Sequence, residues 1–152
     1  MRPEPCTLYD KPIERLDDSI KALLEPANGK KPGTIQTFFR ADDIGIPSAG
    51  FTQMVNLFQK HSTPLCLATV PSWLTEQRLK ALQQVAGSEN PLFCWHQHGW
   101  LHKNHEQEGK KQEFGSNREK QSIKRDIDTG KIKLETLLKN EFFPFFTPPW
   151  NR

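Results

Sequence analysis

Apolar positions along the chain alternate between two periods. Ile13, Leu16, Ile20, Leu23 and Leu24 fall at helical spacing, so an amphipathic helix is expected over residues 13–24. The stretch "EPANGKKPG" ends it with Pro, Asn-Gly and Pro-Gly turn signals. "TIQTFFR", residues 34–40, is β-branched and aromatic and reads as a strand. Ser48 is placed to cap a helix that runs to about Lys60. "TPLCLATVP", residues 63–71, is a short apolar run bounded by prolines, the signature of a buried strand. A helix over 75–86, stopped by Gly87, leads to a third strand, "PLFCWHQH", at 91–98. A polar loop, a helix over roughly 117–139 and a fourth strand beginning "FFPFFTPPW", 142–150, complete the pattern.

Strand and helix in strict alternation predict an α/β fold with a parallel sheet and right-handed crossovers. Two segments are expected: an N-terminal helix and linker over 1–33, and one domain over 34–152. In such folds the chemistry collects at the carboxyl ends of the strands. Those ends carry an unusual set of residues. The first strand runs into Asp42 and Asp43, two adjacent carboxylates that strands disfavour. The third runs into "HQHGWLHKNH", which holds His96, His98, His102 and His105. The fourth ends in "TPPWNR".

An aspartate pair before a glycine is by itself an ordinary turn or helix cap. An i, i+4 histidine pair is by itself weak evidence of a metal, since histidine is a common polar surface residue. Their arrival at successive strand ends of one sheet changes the reading. One carboxylate and two imidazoles form a common three-ligand zinc set with a position open for water. The second aspartate then has a role of its own as general base. Trp95, Trp100 and Trp150 read first as packing residues and second as platforms for a sugar ring.

Composition limits the alternatives. The formal charge is +3, from 21 basic and 18 acidic residues, and the charged stretch from Lys103 to Arg125 mixes both signs. No basic patch with interleaved aromatics points to nucleic acid. Cys6, Cys66 and Cys94 are widely spaced and odd in number. They suggest no disulfide framework, so a reducing compartment is expected. There is no 18-residue apolar run and no signal-peptide core, which leaves a cytoplasmic protein without a membrane span as the expectation.

"RADDIG", "HGWLH" and "FTPPWN", in this order, resemble the three leading motifs of the polysaccharide deacetylase (NodB-homology) family, grouped with carbohydrate esterase family 4. "EFGSNR", residues 113–118, is similar to a loop of a cytoplasmic branch that carries the H-G-x-x-H form. The resemblance covers most of 34–152. It implies a distorted (β/α) barrel in which Asp42 is the general base and Asp43, His98 and His102 hold a divalent metal, with zinc the first choice. Metal-activated water would attack the carbonyl of an N- or O-acetyl group on a carbohydrate. Pro149 and Trp150 would wall the acetyl pocket, and a backbone N–H near Trp150 would help hold the oxyanion.

The chain departs from that pattern in three places. Thr147 stands where the third motif usually has the arginine that positions the base, with Arg40 and Arg152 as possible replacements. Gly99 stands where the second motif has serine or threonine. The sequence ends directly after the third motif, whereas barrels of this type need on the order of 200 residues or more. The expectation is therefore the N-terminal portion of such a domain, from a longer protein. Two other readings compete with the deacetylase. One is a carbohydrate-binding module without catalysis. The other is an amidohydrolase-like metal hydrolase using the H-x-H of His96 and His98.

Overall fold

The computed structural model describes residues 37–152 together with Asp18. The chain divides into two units, of which Phe38–Arg152 holds the sheet and everything below. Apart from Asp18, which is helical, the helix expected over 13–24 lies outside the described residues, as does the segment 34–36 of the first expected strand.

Within this unit four strands and three helices alternate: β1 (Phe39–Ile44), α1 (Ala49–Lys60), β2 (Leu65–Thr69), α2 (Glu76–Ala86), β3 (Phe93–His98), α3 (Lys120–Leu138) and β4 (Phe142–Thr147). The strands form one parallel sheet in sequential order, β1-β2-β3-β4. Local chemistry sets the helix ends. The Ser48 hydroxyl accepts from the N–H of Phe51 and caps α1; Thr75 does the same for α2 through Arg78; Gly87 closes α2 with φ of 83°.

One hydrophobic core explains why all three helices sit together. Phe51 and Val55 of α1, Leu79, Leu82 and Ala86 of α2, and Leu134 and Leu138 of α3 recur at three- and four-residue intervals, giving each helix an apolar stripe. The stripes join Leu65 and Leu67 of β2 and Phe93 and Trp95 of β3 in a single cluster. Those strand positions are alternate residues and so share one face. The helices cover that face, and the residues between, including Arg40, Cys66, Ala68, Cys94, His96 and His98, belong to the other. Cys66 and Cys94 are register partners and free thiols there; burial, then the neighbouring Cys66, push the Cys94 thiol up to about 12.

One expectation changes. The first strand begins at Phe39 and runs through both aspartates, instead of ending at Arg40 before them. Pairing with β2 holds it: Phe39, Arg40 and Ala41 align with Leu65, Cys66 and Leu67, and Ile44 aligns with Thr69. Three steps on β1 oppose two on β2, a bulge that falls on Asp42 and Asp43. Trp95, read first as a packing residue, is 1% exposed and packs against Phe51 in the core, with ring centroids 6.4 Å apart.

Candidate metal centre

In a regular strand Asp42 and Asp43 would point to opposite faces. The bulge and a left-handed Asp43, with φ of 64°, break the alternation and turn both carboxylates to the rim above the open face. Asp43 Oδ1 lies 3.3 Å from His98 Nε2 and 2.9 Å from His102 Nε2. One donor atom from each of these residues falls within 4.8 Å of the other two, the grouping expected from the sequence. Tetrahedral donors about 2.0–2.1 Å from an ion sit roughly 3.4 Å apart, so the observed spacing suits a small cation.

Second contacts fix the two imidazoles. His98 Nδ1 lies 3.0 Å from the Thr147 carbonyl. A carbonyl only accepts, so Nδ1 carries the proton. Burial lowers the pKa of His98, with Asp42 and Asp43 opposing the shift, and the ring is 1% exposed. A neutral His98 then turns its Nε2 lone pair toward the Asp43 carboxylate. Two acceptors 3.3 Å apart repel each other, and a cation between them relieves the repulsion. His102 reaches Asp43 from a left-handed backbone, φ 54°, with its ring set between Trp73 and Trp150 at centroid distances of 5.5 and 4.5 Å.

His96 has a different task. Its Nδ1 donates to the Cys94 carbonyl at 3.4 Å, and its Nε2 accepts from the Thr147 hydroxyl at 3.1 Å. Both ring nitrogens are engaged away from the triad, which removes the geometric basis for an H-x-H metal pair. Thr147 thus steadies both histidines of the strand, one through its hydroxyl and one through its carbonyl. Of Arg40 and Arg152, the two arginines singled out from the sequence, Arg40 stands beside Asp42. Arg40 donates through Nε to Asp42 Oδ1 at 2.6 Å and through Nη2 to Oδ2 at 3.0 Å, a forked pair. The same Nη2 donates to Asn151 Oδ1 at 2.8 Å, tying β1 to the turn after β4.

Pro149 is buried beneath the histidine loop, and Trp150, left-handed at φ 55°, packs its ring against His102 at an interplanar angle of 54°. Both therefore lie against the histidine loop. Trp100 instead turns toward α3, with Lys133 Nζ 5.8 Å from its ring centroid. Sequence reading missed Trp73 and assigned no role to Glu113, whose carboxylate accepts backbone N–H groups of the histidine loop. A lone tryptophan and a lone loop glutamate carry no spacing signal. The site is open to solvent, the Asp43 side chain being 54% exposed.

The buried histidines give the metal-free chain a pH dependence with a definite sign. Burial lowers the pKa of both His96 and His98. Histidines of the unfolded chain titrate near 6.5, so as pH falls through that value the unfolded state takes up protons that these two refuse. Their contribution to stability is complete above about 6.5 and is lost as pH falls toward their folded values. Urea unfolding of the metal-free chain is expected to show a lower midpoint at pH 5.5 than at pH 7.5, with a shallower fall in His96→Gln.

Fold and site define an α/β chain with a two-histidine, one-aspartate candidate metal centre and a second aspartate beside it. No family model, no curated protein and no solved structure matches the chain. Among the described residues no helix is long and apolar enough to cross a membrane.

Proposed function

We propose that the chain is a metal-dependent hydrolase of the polysaccharide deacetylase type, removing N- or O-linked acetyl groups from a carbohydrate. The observation that carries this reading is the Asp43 carboxylate facing the unprotonated nitrogen of His98, with His102 completing the set. Zinc is the first choice of ion for two imidazoles and a carboxylate. The sequential strand order, with the three helices of the described unit on one face, supports a sheet that is part of a distorted (β/α) barrel; a doubly wound sheet reverses its order.

The residues divide the work. Asp43, His98 and His102 would hold the ion, which when bound supplies Lewis acidity that acidifies water and polarises an acyl carbonyl. Asp42 takes the proton from the attacking water. Arg40 keeps both oxygens of that base aimed by its forked contact. Trp150 and Pro149 shape the side of the site that receives the acetyl group, and a backbone N–H beside Trp150 donates to the developing oxyanion.

Acetate release from a panel of N- and O-acetylated mono- and oligosaccharides tests the reading. Zinc-loaded protein is expected to release acetate, a chelator to stop it and zinc to restore it; no release from any member would contradict it. Within this scheme Arg40→Ala is expected to lower kcat by roughly 10²-fold, the scale of a misplaced reacting group. Zinc content should stay unchanged, and added guanidine should return part of the rate. An Arg40→Ala enzyme at full rate would remove Arg40 from the scheme.

A further inference from the structure

Glu113 is fully buried, yet it lies in the loop between β3 and α3 and not in the core. Its carboxylate accepts from three consecutive backbone N–H groups: Trp100 at 3.2 and 3.3 Å, Leu101 at 2.6 Å and His102 at 3.2 Å. No ion pair to this carboxylate occurs among the described residues. Arg118, which is close by, spends Nη1 on the Glu113 carbonyl and Nη2 on Asp126. Burying a carboxylate without a cation is costly unless its oxygens are otherwise satisfied, and here the ligand loop satisfies them.

The backbone is shaped for that anion. Gly99 and His102 are both left-handed, at φ 64° and 54°, and successive N–H groups between them converge on one point. A side chain at Gly99 would run into Glu113 Oε2 and come within 2.6 Å of Pro149 Cγ. That contact excludes serine or threonine from the position and leaves loop ordering to the carboxylate.

We propose that Glu113 is the positioning residue of the metal centre, an internal anion that the ligand loop wraps and that holds His102 in its left-handed backbone with Nε2 on Asp43. The proposal rests on the metal reading of the triad. It makes Glu113 a determinant of metal affinity through His102, although Glu113 touches neither the ion nor the substrate.

Zinc affinity by chelator competition, together with the visible absorption of the cobalt(II)-loaded protein, tests it on the full chain. Glu113→Gln keeps the size but turns an amide NH₂ toward donors. It is expected to weaken zinc binding about 10–100-fold in folded protein and to alter the cobalt spectrum. Gly99→Ala, which presses on the same carboxylate from the other side, is expected to act in the same direction, and it decides the matter if Glu113→Gln does not fold. Unchanged affinity and spectrum in folded variants, with only the melting temperature lowered, would overturn the proposal while leaving the metal reading intact. Wild-type protein that binds no metal would overturn both.

Discussion

Replacing Asp42 with Asn is expected to reduce acetyl hydrolysis by about 10²–10⁴-fold, the range for losing a general base, with zinc content unchanged. The substitution preserves size and keeps one oxygen for Arg40, whose Nε lies 2.6 Å from Oδ1. It removes the ability to take a proton. Metal binding is spared because the triad uses Asp43, which the bulge turns separately toward His98 and His102. The loss should appear in kcat with little change in KM. This variant also separates an enzyme from a carbohydrate-binding module, in which Asp42→Asn would leave sugar binding intact and there would be no hydrolysis to lose. A variant with wild-type kcat would exclude Asp42 as the base.

The second large effect concerns His98. Its ring is 1% exposed, and the Thr147 carbonyl fixes its proton on Nδ1. His98→Ala removes a candidate ligand whose orientation is already determined, leaving one imidazole and one half-exposed carboxylate. A ligand that binds only the folded state at 100 times its Kd adds about 2.7 kcal/mol of stability. Saturating zinc should therefore raise the melting temperature of wild-type protein by several degrees, and this shift should vanish in His98→Ala. The variant should also be less stable without metal, since the buried imidazole leaves a cavity. A zinc-induced shift of full size in His98→Ala would show that the ion sits elsewhere.

Much of this arrangement was legible in the sequence. Periodicity located the helices of the described unit to within a few residues, because Ser48, Thr75 and Gly87 are local signals that set the ends of α1 and α2. Ordered motifs at strand ends located Asp43, His98 and His102, because a parallel sheet brings such ends to one rim. The end of β1 was misplaced at Arg40, since the strand runs on through the bulged aspartates to Ile44, held there by its alignment with Thr69. The bulge was not legible, although it turns two neighbouring aspartates to one side.

The supporting contacts span longer stretches of chain. Arg40 meets Asn151 across 111 positions, and Thr147 meets His96 across 51. Glu113 acts on the backbone N–H groups of residues 100–102, a contact that no residue pattern marks. Trp95 keeps its first reading as a packing residue. Its neighbours on β3 serve the site, but alternation along the strand places it in the core.

Metal content of the purified chain, measured by elemental analysis beside His98→Ala and Asp43→Ala, tests the central claim most directly. The account predicts close to one zinc per wild-type chain and essentially none in either variant, with all three proteins folded by circular dichroism. Folded wild-type protein that takes up no divalent metal, or variants that retain it, would contradict the account and leave the aspartate pair a strand bulge with no metal role.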